Sequence, residues 1–517
     1  MEKYIKKLRI VKNIFEFYNA PQFKQSMFWS FSLGLLAHAF CYLNVMFCHD
    51  STMVFHNENR WKISLGRFIT PFFDKIRTPY NIVWVIGVLS HVFIALSVYY
   101  LICIFDIQNK VIIALIAGIF STNFTLTISN ATYINWSDIY MLSVLLYVLG
   151  AYFVLIKKNI TLSVLAITIA MGIYQAYLPL TLLIIICFVI LECFNNLVFS
   201  NIVKIVLRSF AVVGLSFISY SLLCNIFVKA YGASLNNGYN GIASVGDFEN
   251  VNLWELIKES IYYLFSFFFK ESGYITTGVK FANIVILLLC IVFVVLIFLK
   301  KKIVTINALF GLICLLVCPL AMNSVYIISK GTIHHLMIFH FCMYYVILLI
   351  FLNYVMREEI ICTNFRNSLV SLSCYLLIGF VIFRSVTYAN IVYLNQELKY
   401  QNTMQLMNRI VDRIEQTEGY VIGETPVEFY GELAESPLAK NRYGFTQLKE
   451  LALMECYFGV TYATTFYQYF NEIFNYPINL TVYDGYSDKQ CPYDMPVFPY
   501  EGSVQMFDDK VVVKLSE

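Results

Sequence analysis

The sequence predicts a mainly α-helical polytopic membrane protein of about eleven spans, followed by a small extracytoplasmic α/β domain. Three observations carry this reading. The 517 residues are 59% hydrophobic and 17% aromatic but only 13% charged, with a mean hydropathy of +0.67. A soluble fold of that length has no core large enough to hide so much apolar surface. Apolar runs of membrane-crossing length recur from about residue 27 to 387, and after Val386 the composition turns mixed. The chain therefore divides into a basic cytoplasmic arm (1–26), a membrane domain (27–387) with long external loops at 47–79 and 229–279, and an α/β domain (388–517).

The amino-terminal arm carries Lys3, Lys6, Lys7, Arg9, Lys12 and Lys24. A polar stretch of about 25 residues is too long for the n-region of a cleaved signal peptide, so the arm is expected to stay in the cytoplasm. Spans follow near 27–46, 79–105, 111–127, 138–156, 160–177, 179–194, 209–228, 281–299, 303–321, 335–356 and 368–387. With the amino terminus inside, every inner loop is basic: Lys110, Lys157 and Lys158, Lys204 and Arg208, Lys300 to Lys302, Arg357 and Arg366. An odd count then puts the carboxyl terminus outside.

Within the loop at 229–279, the run from Trp254 to Phe269 reads as a helix lying on or dipping into the membrane rather than crossing it. In the first loop Phe68, Ile69, Phe72, Phe73 and Ile76 form one apolar helical face, with Arg67, Asp74, Lys75 and Arg77 opposite. In the tail, helical periodicity runs through Met404, Met407, Val411 and Ile414. Strand-like runs follow at Val427 to Tyr430 and Ile478 to Val482, and Val511 to Val513 after Asp508-Asp509 suggests a closing hairpin. The tail has no Gly-rich phosphate loop, and no nucleic-acid partner is expected.

Most of the 14 cysteines fall in apolar runs, where they act as small hydrophobes, and no Cys-x-x-Cys pair exists. Cys456 and Cys491 in the tail would pair only if it faces an oxidising compartment.

The first external loop concentrates the polar chemistry: Asp50, His49 and His56, with Arg60, Lys62, Arg67, Lys75 and Arg77. A carboxylate where the chain leaves the bilayer can act as general base toward a sugar hydroxyl. If the donor is a lipid-phosphate sugar, the leaving phosphate needs no protonation, so one carboxylate suffices. Arg67 or Arg60, with Lys62 beside them, suits the donor phosphate. His49 could orient or tune Asp50. The plainer alternative is a solvated Asp50 and cations that meet lipid headgroups. Trp136 and Asp138 mark the outer edge of the fourth span, either as sugar contacts or as an interfacial anchor and helix start. Tyr174 and Gln175 lie at the same level, where the glutamine either fits a sugar hydroxyl or satisfies its own neighbours. His334, His335 and His340 do not share one helix face, so packing roles are favoured over a metal. No cofactor is called for, although a divalent metal beside His49 and Asp50 stays open.

His49-Asp50-Ser51, the run Ile63 to Phe68 with Pro71, the run Ala131 to Asp138, the run Gly172 to Tyr177 and the tail segment Met495 to Pro499 together resemble the serotype-converting glucosyltransferase family. That family carries an acidic pair where this chain has His49-Asp50. The resemblance implies a GT-C-type glycosyltransferase of the bacterial cytoplasmic membrane. It would move a sugar, glucose by default, with inversion from a polyprenyl-phosphate donor to a surface polysaccharide or teichoic-type polymer outside the cell. Carried over by motif, Asp50 is the base, Arg67 the phosphate contact and Asp138 a site residue. The competing classes are a flippase for lipid-linked sugars and a polysaccharide polymerase or ligase. Transporters place ionisable groups at mid-membrane, whereas here they cluster at one edge.

Overall fold

The computed structural model describes residues 19–47, 51, 59–78, 80–236, 252–360, 364–431, 436–440, 469–481 and 491–517. Among the described residues ten helices are long and apolar enough to cross a membrane, from Pro21–Leu43 to the last, which includes Leu369–Glu415. An eleventh, Ile160–Ile173, is apolar but shorter. Each of the eleven overlaps a segment expected from the sequence. The protein is a multi-pass membrane protein.

The third span is broken. Lys110–Ser121 stops at Thr122, and Asn123 restarts the chain as Phe124–Thr132 by accepting the Thr125 amide on its side chain at 2.7 Å. A short polar side chain placed there offers the backbone an alternative partner to the helical ladder. Leu253–Phe269 is amphipathic as expected. It buries Leu256, Ser260, Leu264 and Phe268 and leaves Trp254, Tyr262 and Phe265 exposed. Ser260 and Asn323 exchange hydrogen bonds at 3.1 and 2.7 Å and tie this helix to the end of Thr305–Met322.

The loops sort onto two ends. At one end Lys301 donates to the Tyr354 hydroxyl and to Glu358, Tyr354 donates to Asn195, Asn196 donates to the Lys302 carbonyl, and Arg357 pairs with Asp106. The hydrogen bond from Lys301 holds the Glu358 carboxyl below its ordinary pKa. At the other end gather the short helices Asn59–Ser64 and Thr70–Arg77, the turns at 133–137 and 174–177, and the end of Phe199–Ala230.

The last helix, Asn364–Glu415, runs 52 residues without interruption, about 78 Å at 1.5 Å per residue. The change of composition near 387 therefore falls inside one helix, whose far half buries Leu406, Met407, Ile410 and Ile414 against a small sheet. The strands are β1 (Pro426–Tyr430), β2 (Asn479–Leu480), β3 (Val504–Phe507) and β4 (Lys510–Lys514), in the order β2-β1-β4-β3. Only β3 and β4 are antiparallel, joined through Asp508 and Asp509 at φ 47° and 61°. That is the two-residue turn with both central residues at positive φ that matches strand twist. The expected hairpin is present. Phe47 packs on this domain's core, stands 6.0 Å from the Tyr400 ring, and accepts from the Tyr469 hydroxyl on its carbonyl. The small domain thus grips the chain at the far end of the first span. Cys456 lies outside the described residues.

Candidate active site

The site begins with a helix stop. Asn59–Ser64 ends at Gly66, which takes φ 72°, a conformation that glycine adopts without steric cost. The Gly66 amide donates to the Ile63 carbonyl at 2.8 Å and the Arg67 amide to the Lys62 carbonyl at 3.0 Å. This paired closure is the Schellman motif, and it throws Arg67 out of the turn. Gln175 clamps the same turn from the bundle side, donating to the Leu65 and Gly66 carbonyls and to the Tyr220 hydroxyl at 2.6 Å. Tyr220 also donates to Gly66. The Ile69 amide then donates to the Gly172 carbonyl at 3.0 Å, and a Cβ on Gly172 would come within 2.8 Å of Phe68 and Ile69. Gly172 is there because loop and bundle touch.

Arg67 arrives in an aromatic box. Its guanidinium carbon lies 4.9 Å from the centre of Tyr174, 5.7 Å from Trp136 and 6.0 Å from Tyr140, and it donates to the Tyr140 hydroxyl at 3.2 Å. Cations over such ring faces are held by the ring quadrupole. Arg67 is half-buried.

Beneath it lies a chain of four buried charges. Lys62 pairs with Asp74 while its ammonium stands 5.0 Å over Trp136. Arg77 stands 3.7 Å from the other oxygen of Asp74 and 2.8 Å from Asp138. All four side chains are at most 6% exposed. Arg77 also donates to the carbonyls of Tyr80 and Asn135. The helix Thr70–Arg77 accordingly buries Thr70, Pro71, Asp74 and Arg77 and turns Phe72 and Ile76 outward, the latter 86% exposed. Its charged face is the inner one, because a carboxylate and a guanidinium with partners lose less by burial than without them.

The structure brings Arg67, Lys62, Trp136, Asp138, Tyr174 and Gln175 to one end of the bundle. Arg60 stands apart, exposed and donating to the Gly232 carbonyl. His49 and Asp50 lie outside the described residues. Their neighbour Ser51 is fully buried, and its carbonyl accepts from Asn81 at 2.7 Å. Tyr140, one helical turn after Trp136, joins the site unexpectedly, and Asp74 and Arg77, expected on the polar face of a helix at the membrane surface, are buried in it. His340 is a packing histidine, buried and bonded to the Met322 carbonyl at 2.7 Å. Among the described residues no group of three His, Cys, Asp or Glu side chains could hold a metal ion.

The site is thus a cation in an aromatic box at one end of a multi-span bundle. The family model for glucosyl transferase GtrII matches residues 39–353, and the chain belongs to that family of glycosyltransferases. No curated protein and no solved structure matches the chain.

Proposed function

We propose that the chain transfers glucose from a polyprenyl-phosphate donor to a hydroxyl of a surface polysaccharide or teichoic-type polymer on the outer face of a bacterial cytoplasmic membrane. The end that holds Arg67 faces outward in this reading, and the end that holds Lys301, Lys302 and Arg357 faces the cytoplasm, in keeping with the positive-inside rule. The observation that supports it best is Arg67 itself. It is a guanidinium on the loop that leaves the first span, gathered by three aromatic rings.

In this mechanism Arg67 holds the donor phosphate through its planar fork, and Trp136 and Tyr174 cover a sugar face. The acceptor hydroxyl attacks the anomeric carbon from the side opposite the phosphate. Its proton passes to Asp50, the C–O bond to phosphate breaks, and lipid phosphate leaves with inverted product formed. Asp74 and Asp138 are poor candidates for the base because each is buried against a cation. Asp50, the carboxylate that the family resemblance points to and the neighbour of the buried Ser51, takes the role in this reading. Lys62, Arg77, Asp138 and Gln175 act by holding the loop that carries Arg67, and His49 by orienting Asp50. Arg60 meets lipid headgroups at the rim. The reaction as written needs no cofactor.

The deciding experiment is transfer of labelled glucose from synthetic polyprenyl-phosphate-glucose to cell-envelope polymer, with wild type and Asp50→Asn in parallel. Transfer by the wild type alone supports both the reaction and the base. Equal transfer by both keeps the reaction and removes Asp50, and no transfer by either rejects this donor.

A further inference from the structure

A cavity of about 230 Å³ lies between the end of Leu253–Phe269, the turn at 270–276 and His335, and Arg67 is not among its lining residues. Phe124 is the hub of its wall. Its ring centre lies 4.6 Å from Tyr274, 5.3 Å from His335, 5.7 Å from Phe267 and 5.8 Å from Tyr388. Phe124 stands there because the third span breaks at Asn123 and restarts with Phe124 as its first residue. The rest of the lining is Tyr263 and Ser266 on the helix and Lys270, Glu271, Ser272 and Gly273 at the turn. Lys270 and Glu271 are both exposed, and Glu271 pairs with Lys280 at 3.5 Å. The His335 Nδ1 is buried with no hydrogen-bond partner among the described residues. Burial pushes the His335 pKa down to about 4, so at neutral pH the ring is uncharged and offers one N–H and one lone pair.

We propose that this cavity is a saccharide subsite that seats a pyranose of the acceptor glycan, a reading that rests on the glycosyltransferase function proposed above. Size, chemistry and continuity support it. A cavity of ~150 Å³ holds a benzene ring, so this one has room for a six-membered ring with its hydroxyls. Flat aromatic faces carry negative potential that attracts the C–H bonds of a pyranose face. The hydroxyls of serine and tyrosine and the neutral imidazole suit sugar hydroxyls. An acyl or prenyl chain would leave the buried imidazole nitrogen unsatisfied.

Aromatic rings also connect the cavity to the first site. His335 lies 6.5 Å from His334, His334 lies 6.2 Å from Tyr133, and the Trp136 amide donates to the Tyr133 carbonyl at 2.9 Å. Phe124 and Thr132 are the two ends of one nine-residue helix, about 12 Å apart along its axis.

The test is saturation-transfer NMR on the full chain in nanodiscs, with the methyl glycosides of glucose, galactose, N-acetylglucosamine and rhamnose as probes. The variants are Ser266→Trp, which fills the cavity, His335→Phe, which keeps the ring and removes its nitrogens, and Arg67→Lys. At least one glycoside should give ring-proton signals with the wild type. They should fall at least tenfold in Ser266→Trp and several-fold in His335→Phe, and persist in Arg67→Lys. Signals that survive Ser266→Trp, signals that vanish in Arg67→Lys, or no signal from any glycoside would each overturn the subsite. Consumption of polyprenyl-phosphate-glucose is followed in the same samples. Glycoside binding that Ser266→Trp abolishes, in a protein that never consumes the donor, would support the subsite while rejecting the donor. Donor turnover without glycoside binding would do the reverse.

Discussion

Arg77 Nε stands 2.8 Å from Asp138 Oδ2, with the two side chains 3% and 0% exposed, and so joins the first external loop to the start of a membrane span. The contact is an ion pair rather than an aligned hydrogen bond. Through Asp74 it continues to Lys62, so two positive and two negative groups balance under the box that holds Arg67.

Breaking that pair from one side should be far worse than removing both partners. Removing one partner of a buried pair costs about 3–5 kcal/mol, while an apolar replacement of both can be close to neutral. Asp138→Leu is therefore expected to destabilise the protein by about that amount, and Arg77→Met with Asp138→Leu to recover most of it. Thermal unfolding in detergent of the two variants checks this. Equal losses would mean that the pair does not act as a unit.

Arg67→Lys removes a planar fork and keeps the charge. Loss of one or two charged hydrogen bonds, about 1.5–3 kcal/mol each, should lower kcat/KM for the lipid-phosphate donor at least tenfold. The unfolding midpoint should move little, because Arg67 is half-buried and the four-charge chain lies below it. An unchanged rate would take Arg67 out of the donor site.

Gly172→Ala should loosen the loop from the bundle. The added Cβ meets the Phe68 ring and Ile69 at 2.8 Å, inside contact distance. Overpacking of this kind costs about 1–3 kcal/mol. Lower activity is expected together with faster proteolysis near Arg67, and normal values for both would mean that the contact is not tight.

His335 gives a pH dependence. Its folded pKa is about 4 against an ordinary 6.5, through burial and the neighbouring His334, with Lys270 and Glu271 facing it across the cavity. The unfolded chain takes up the proton first, so the stability this residue contributes is complete above pH 6.5 and is lost as pH falls toward 4. Relative to His335→Phe, the wild type should lose unfolding temperature across that window. Parallel curves would show that His335 is not buried as described.

Orientation is tested by fusion. Alkaline phosphatase placed after Lys514 should be active and placed at Lys301 should be inactive. The opposite result would invert the proposed topology.

Much of this architecture was legible in the residues because membrane spans and strands are local signals. Twenty apolar residues need no partner to be recognised, and the eleven segments fell where hydropathy put them. The hairpin at Asp508-Asp509 and the buried stripe from Leu406 to Ile414 are likewise properties of short stretches. The place of the small domain was less visible, since one helix carries both the last span and that domain's first packing face.

At the site, the sequence determined which residue types collect near the membrane edge: arginines, a tryptophan, tyrosines and aspartates in three short blocks. Only the tertiary structure decided what they do to one another. Lys62 and Asp138 appeared as equals of Arg67 in the chain, yet two of the three are buried with opposite charges and one is held by aromatic rings. Likewise the helix Thr70–Arg77 could present either face to the bundle. Which face turned inward depended on Asp138 and Asn135, some 60 residues further on, because burying a charge is tolerable only where a distant part of the chain supplies its partner.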